Sequence, residues 1–306
     1  MLEKVTAASG GEAPERVALT CPAVWGPVRR QQFGEVSRQL GLETSAVVVS
    51  EPEAAVTFFV QAGRLKEGDL VAVYDLGAAT VDMTVVRVTG SGTEILGQPE
   101  AVEGVGGVDF DDVVLAHADR VLGGVLSALD LSDSAAAGAL EAARVECIRA
   151  KEALSWAESA TVTVELPTGS VRVALSRAEF ESMIRSGLES SLTGLRRAML
   201  SAGVDIPDLA AVVLVGGSSR IPLVEQMLTK GLGRPVLTHE HPQHCAALGA
   251  AAIADGFEIR SRKSDSADLA LPPTPMPLTR RETTTMPQTR RETAANRRPG
   301  VKQRCR

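Results

Sequence analysis

The stretch Asp75-Leu-Gly-Ala-Ala-Thr-Val-Asp82 decides the fold. The apolar residues Leu70–Tyr74 before it predict a buried strand, and a second apolar stretch runs from Thr80 to about Val88. A tight turn of small residues joins the two strands. The N–H groups of such a turn can bind a phosphate, and the adjoining carboxylate can hold a metal's water shell or orient an attacking water. The stretch predicts a phosphate-binding hairpin or, alternatively, an ordinary hairpin with acidic ends.

Three other segments have the composition of ligand sites at strand ends. Ser50-Glu-Pro52 follows the apolar strand Ala46–Val49, at an edge where α/β sheets bind ligands, although it also suits a helix N-cap. Gly104-Val-Gly-Gly107 precedes a predicted helix, whose unpaired N–H groups attract anions. Val213-Leu-Val-Gly-Gly-Ser-Ser-Arg-Ile-Pro222 joins a buried strand to two glycines and an arginine that can stack on a base.

The remaining body alternates strand and helix patterns. Thr93–Leu96 predicts a weaker strand, and Thr161–Leu166 with Val171–Leu175 predicts a hairpin. The sequence predicts a helix over Ser134–Ser155, and a capping box that begins at Ser176 opens another. Hairpins that alternate with crossover helices indicate an α/β protein.

The chain divides into three parts by composition. Residues 1–15 form a short polar segment, residues 16–258 form the α/β body, and residues 259–306 form a basic Pro/Thr/Arg-rich tail. From Arg260 to the end there are 12 Lys/Arg and 4 Asp/Glu, so this part carries +8 and the rest −14. The tail repeats Met-Pro-x-Thr-Arg-Arg-Glu-Thr at a ten-residue period and lacks the apolar residues of a core, so we expect it to be disordered.

Composition excludes several classes of protein. No apolar run approaches the roughly 18 residues of a membrane span, and residues 1–11 lack the apolar region of a secretory signal. The four cysteines are scattered, which favours a reducing cytoplasm over a disulfide framework. His239, His241 and His244 lie close in sequence, and a solvated loop is favoured there over a metal cluster.

These segments occur in the order and spacing of one family. Over residues 16 to 258 the chain resembles the ATPase domain of the seventy-kilodalton heat-shock (DnaK-type) chaperones, within the actin/hexokinase superfamily. The resemblance implies an actin-like (ribonuclease H-like) ATPase fold. The motifs that carry it are Thr20-Cys-Pro-Ala23, Ser50-Glu-Pro-Glu-Ala-Ala55, Asp75–Asp82, Gly106-Gly-Val-Asp-Phe-Asp111, Cys147-Ile-Arg-Ala-Lys-Glu-Ala-Leu-Ser155 and Gly216-Gly-Ser-Ser-Arg-Ile-Pro222.

The resemblance implies ATP or ADP with Mg²⁺ as ligands, and it assigns roles residue by residue. Glu51 and Asp75 resemble the catalytic carboxylates that hold magnesium through water, and Asp75 also orients the attacking water. Asp82 resembles a residue at a monovalent-cation position. Pro22 and Arg30 match a relay that couples nucleotide state to substrate binding. The residues that resemble nucleotide contacts are Gly77, Ala78, Ala79, Thr80, Gly106, Gly107, Lys151, Ser155, Gly216, Gly217, Ser218 and Arg220.

The chain also departs from the family pattern. Ala78 and Ala79 replace two glycines of a phosphate loop, and their Cβ atoms restrict the backbone. Val108, Ile148 and Gln243 replace two glutamates and an aspartate. The family's N-terminal lobe, with its Asp-x-Gly-Thr-Thr loop and essential lysine, and its substrate-binding domain are not found in the chain. We therefore expect an N-terminally truncated domain with an exposed sheet edge and negligible intrinsic ATPase activity.

The leading hypothesis is an ATP/ADP-binding, chaperone-like cytoplasmic protein of the heat-shock family, with a J-domain protein and a nucleotide exchange factor as co-chaperone partners by resemblance. An alternative is a non-catalytic scaffold that acts through its basic tail. Nucleic acid is a weaker partner, because the tail lacks aromatic residues for stacking and the body is acidic. Sugar or acetate kinase activity is weaker still, since no acidic sugar-binding loop is evident.

Overall fold

The computed structural model describes residues 15–39, 46–166 and 169–257. The predicted disordered tail and almost all of the N-terminal segment lie outside the described residues. The strands are β1 (Val17–Cys21), β2 (Ala46–Ser50), β3 (Leu70–Leu76), β4 (Thr80–Thr89), β5 (Gly92–Glu103), β6 (Ser159–Leu166), β7 (Gly169–Ser176), β8 (Ala211–Val215) and β9 (Val236–Leu237). The α-helices are α1 (Pro27–Gln39), α2 (Glu51–Gln61), α3 (Gly107–Val121), α4 (Ser134–Ala153), α5 (Arg177–Ala202), α6 (Pro222–Leu232) and α7 (Cys245–Ala254). Short 3₁₀ helices span Ile206–Asp208, Gly217–Arg220 and Pro242–His244.

A mixed five-stranded sheet positions the candidate site. Its order is β5-β4-β3-β8-β9, with β3 antiparallel to β4 and parallel to β8. Strands β1 and β2 form a separate parallel pair, and β6 and β7 form the predicted hairpin. The loops after parallel strands β3 and β8 meet at one edge, as expected where α/β sheets bind ligands.

Alternate residues of the central strands enter two hydrophobic cores. Tyr74 and Leu214 belong to the larger core, which also takes residues from α3, α4, α5 and α6. Val73 and Val213 face the opposite side and pack with residues of α2 and α7. Because a strand directs successive side chains to opposite faces, helices cover both faces of the sheet. This arrangement confirms the predicted α/β class.

Strand β5 is longer than the sequence predicts. It spans 12 residues rather than the four of Thr93–Leu96, and it continues through Gly97 and Pro99. Strand β5 is at the edge of the sheet. Proline is tolerated there because the outer side of an edge strand has no neighbouring strand to which an N–H group must donate. The amide of Gln98 donates to Ser201 Oγ at 2.8 Å, which attaches this edge to the end of α5.

None of the helices in the described ranges is both long and apolar enough to cross a membrane.

Candidate functional site

The β3–β4 hairpin places two carboxylates opposite each other. Asp75 and Asp82 are register partners, and the Thr80 hydroxyl donates to Asp82 Oδ2 at 2.8 Å. Like charges directly opposite each other destabilise a hairpin. A hairpin that retains both carboxylates therefore carries an electrostatic cost that a bound cation would remove.

Glu51 brings a third carboxylate to this cluster from the start of α2. Burial and the nearby charge of Asp82 raise the pKa of Glu51. Burial, with the charges of Glu51 and Asp82, raises the pKa of Asp75 to about 7. Burial also raises the pKa of Asp82, although the hydrogen bond from Thr80 acts to lower this pKa. In the part of the chain that the structure describes, no three carboxylate, histidine or cysteine side chains are placed to ligate a metal directly.

Two glycines allow the backbone segments of the site to pack closely. Gly216 has φ +88°, and a Cβ there would overlap the carbonyl oxygen of Leu76 and lie 2.5 Å from Asp75 Oδ1. At Gly106 a Cβ would lie 2.5 Å from the carbonyl oxygen of Ala78. Only glycine fits at these two positions, which explains the glycine clusters in the sequence.

The hairpin turn is hydrogen-bonded to the start of α3. The amide of Gly107 donates to the carbonyl of Gly77 at 3.1 Å, and the amide of Val108 donates to Ala78 at 2.7 Å. These two N–H groups of the helix N-terminus are therefore engaged by the turn. Ala78 and Ala79 themselves are exposed.

Side chains from two other elements hold the hairpin turn and the start of α3. The Ser218 hydroxyl donates to the carbonyl of Gly77 at 2.9 Å. Lys151 Nζ donates to the carbonyl of Gly107 at 2.8 Å and pairs with Asp111 Oδ1 at 2.8 Å. The Lys151–Asp111 pair is largely buried, so loss of one partner would leave the other charge unpaired in a poorly solvated place.

One cavity of about 690 Å³ opens between these segments, which is large enough for a nucleotide. It brings together eight of the predicted nucleotide-binding residues. The other four predicted contacts, Ala79, Thr80, Gly106 and Gly216, do not line it, and neither do the carboxylates Glu51, Asp75 and Asp82. The predicted residues that line the cavity are Gly77, Ala78, Gly107, Lys151, Ser155, Gly217, Ser218 and Arg220.

Arg220 lies at one end of this cavity. Its Nη2 donates to the carbonyl of Glu240 at 3.3 Å and contacts His241 Nδ1 at 3.1 Å. Its guanidinium carbon lies 5.7 Å from the ring centre of Trp156. A guanidinium over an aromatic ring is a typical platform for a planar base.

Sequence reasoning missed several residues of the cavity. Asp111 was part of a quoted motif without a role, and Trp156 follows the predicted contact Ser155 directly. The positions that depart from the family pattern, Val108, Ile148 and Gln243, all line the cavity.

Pro22 lies in the connection between β1 and α1, and Arg30 lies in the first turn of α1. Arg30 donates to the carbonyls of Ala23 and Trp25, each at 3.0 Å, and the amide of Trp25 donates to Pro22 at 3.2 Å. Arg30 in the helix and the loop that contains Pro22 thus belong to one hydrogen-bonded unit. Neither lines the cavity, and their coupling role stays a prediction.

Comparison with known proteins assigns the family. The family model described as "Hsp70 protein" matches residues 1–293. The chain belongs to the Hsp70 family. This membership confirms the predicted family, and the mixed sheet with helices on both faces is consistent with part of the actin-like Hsp70 ATPase domain.

Curated Hsp70-family relatives are similar over most of this chain. The chaperone protein HscA homolog of Pseudomonas fluorescens is 34% identical over 262 residues, which are 86% of this chain and 39% of the relative. Chaperone protein HscA of Escherichia coli is 34% identical over 275 residues, which are 90% of this chain and 42% of the relative. The HscA homolog of Shewanella denitrificans is 29% identical over 278 residues, which are 91% of this chain and 42% of the relative. The chain thus spans about two fifths of the length of these relatives.

Proposed function

We propose that this Hsp70-family chain binds ATP or ADP with Mg²⁺ in the 690 Å³ cavity and contributes to chaperone activity as a nucleotide-responsive module. The observation that carries the proposal is the convergence of three distant segments on one cavity. The turn at Gly77–Ala78 supplies the phosphate end. The end of α4 and the Gly217–Arg220 helix supply the walls of the nucleoside end.

The polar groups of the cavity suit these roles. Lys151, which is paired with Asp111, lies at the start of α3 and lines the cavity, where its remaining N–H donor could reach a nucleotide. Arg220 presents a flat cation to the base, and Ser155 offers a hydroxyl on the α4 side. Gly217 and Ser218 provide a close backbone approach and a hydroxyl for the ribose.

Glu51, Asp75 and Asp82 fit a hydrated magnesium ion and a monovalent cation. Burial raises the pKa of all three carboxyl groups, and neighbouring carboxylate charges raise the pKa of Glu51 and Asp75 further; a bound cation would oppose both effects. Mg²⁺ would neutralise phosphate charge in this position. Asp75 would accept a hydrogen bond from the attacking water, which orients that water.

We propose that hydrolysis by this chain is slow. Phosphoryl transfer depends on positioning and on charge stabilisation. The Cβ atoms of Ala78 and Ala79 stand at a turn where free N–H groups need a close approach to a phosphate.

The wider role rests on the family. We propose a DnaK-type cytoplasmic stress-response protein that works with a J-domain protein and a nucleotide exchange factor, with Pro22 and Arg30 as the relay. The buried free thiols of Cys21, Cys147 and Cys245 support a reducing compartment.

Isothermal titration calorimetry of the full chain with Mg-ADP tests the proposal. We expect saturable binding that weakens about tenfold in Arg220→Ala, since a stacking cation is lost. Arg196→Ala, an exposed arginine on α5, is the matched control and should leave binding unchanged. The rate at which the chain produces phosphate from Mg-ATP should be far lower than the rate of ATP hydrolysis by an active Hsp70 ATPase domain.

Absence of saturable binding of ADP, with or without Mg²⁺, would overturn the proposal and favour the alternative of a scaffold that acts through its tail. Rapid turnover together with saturable binding would overturn only the proposal of slow hydrolysis.

A further inference from the structure

Trp156 has an unusual position for a large aromatic residue. It follows α4 directly, 69% of its surface is exposed, and it lines the cavity. Tryptophan is usually well buried, and an indole left in water forgoes a large hydrophobic gain. An exposed indole on a cavity wall therefore indicates a ligand that covers it.

The opposite side chain, Arg220, has an unmet hydrogen-bonding group at the same place. Its Nη2 is held by Glu240 and His241, but its buried Nε has no hydrogen-bond partner among the described residues. Buried N–H groups without a partner are rare in native proteins. Because this N–H group is enclosed by the protein, it does not face the cavity, and the guanidinium would contact a ligand through its flat face.

The two side chains lie within cation–π range of each other, so a base that inserts between them must first move them apart. The Arg220 guanidinium carbon and the Trp156 ring centre are 5.7 Å apart, which is wider than the roughly 3.5–4 Å of direct contact. Two stacked layers need roughly 7 Å by the same contact distance. An exposed indole can move by the remaining ångström or so, because little packs against it.

The cavity lining includes apolar side chains as well as the polar Glu152 and Gln243. Ile148 and Ile221 line the cavity and offer no side-chain hydrogen bond to a base. Flat base surfaces stack on aromatic rings and on arginine. We propose that Trp156 is a base-stacking residue, which stacks on one face of the nucleoside base while Arg220 stacks on the other. This inference rests on the proposed nucleotide binding and adds a contact that the family resemblance did not assign.

Fluorescence of the full chain tests the inference directly. The chain has two tryptophans, so Trp25→Phe leaves Trp156 as the single indole, and Trp25 does not line the cavity. We expect ADP to change the emission of this variant with the same Kd that calorimetry gives. Pyrophosphate, which has no base, should leave the emission unchanged.

Substitution of Trp156 supplies the second readout. Loss of base stacking should weaken ADP binding about tenfold in Trp156→Ala, whereas Trp156→Phe should retain most of the affinity. Leu200→Ala, a hydrophobic residue on α5 that is 81% exposed, is the control and should bind as the parent does. Neither exposed position is expected to affect folding.

Saturable ADP binding with unchanged Trp156 emission, or unchanged affinity in Trp156→Ala, would overturn this inference and leave the proposed function intact. A lack of ADP binding in the parent chain would instead overturn the proposed function, and this inference with it.

Discussion

The five-stranded sheet and the β1–β2 pair both carry candidate site residues, but they are packed very differently. Strand β8 is buried at all five positions, and helices cover both faces of its sheet. In β1 only Cys21 is buried, and Val47 of β2 is 39% exposed. Asp75 and the Gly216 turn thus adjoin strands that are buried on both faces, whereas Pro22 and Glu51 follow strands that are only partly buried.

Helix α7 connects the two regions. It packs against α2 and also contacts β1. A Cβ at Gly249 would overlap the carbonyl oxygen of Ala54, so the two helices cross at backbone contact. This crossing fixes Glu51, at the start of α2, relative to the larger sheet. The position of the third carboxylate therefore depends on helix packing as well as on its own strand.

The largest expected effect is a difference between the two sheets in how much a core substitution reduces the free energy of unfolding. Leu214→Ala in β8 removes a side chain that is 1% exposed and should reduce the free energy of unfolding by about 3–4 kcal/mol. Leu19→Ala in β1 removes a half-buried side chain and should cost about 1 kcal/mol. Urea unfolding followed by circular dichroism measures both, and equal losses would contradict the comparison. Hydrogen exchange should also be faster in β1 and β2.

The second prediction compares the carboxylates of the two regions through pH. The pKa of Asp75 is 3.8 in an ordinary setting and about 7 in the fold. The folded state thus binds more protons between about pH 4 and 7, so stability of the ligand-free protein should fall as pH rises through this window. Asp75→Asn should flatten this dependence and stabilise the protein at pH 8 by on the order of 2 kcal/mol.

Thermal unfolding from pH 5 to pH 8 measures this effect. Glu51→Gln should have a smaller effect than Asp75→Asn, because burial and two neighbouring charges act on Asp75 and one on Glu51. Glu189→Gln, an exposed carboxylate on α5, is the control. A parent protein whose stability rises between pH 5 and 7 would show that the cluster is not electrostatically strained.

The smallest expected effect concerns the attachment of α5 to the larger sheet. The buried Tyr74 hydroxyl and Ser191 Oγ are 2.5 Å apart, and Ser191 also donates to the carbonyl of Leu188. Tyr74→Phe should cost about 1 kcal/mol, because Ser191 keeps its second partner. Denaturant unfolding at pH 7 measures the loss. A loss above about 3 kcal/mol, the range of a core cavity, would mean that the hydroxyl anchors the sheet more strongly than proposed.

Local patterns predicted most of the elements. The β3–β4 hairpin, the β6–β7 hairpin and the capping box at Ser176 follow from residue periodicity and capping chemistry, and the structure contains all three. The length of β5 was missed, because Gly97 and Pro99 are typical of turns and the strand depends on pairing with β4 and contact with α5. The role of Trp156 in the site was missed as well, because it depends on the contact with Arg220, which is 64 positions later in the chain.

The sequence by itself determined the α/β class, the family and the residue types that suit a nucleotide site. Hydrophobic periodicity and short motifs encode these properties locally. Only the tertiary structure decided that the turn at Gly77 binds the start of α3 and Ser218, that Asp75 faces Asp82 beside Glu51, and that Trp156 faces Arg220. The physical reason is that the burial, charge coupling and spacing of groups far apart in sequence arise only when the packed helices and strands bring them together.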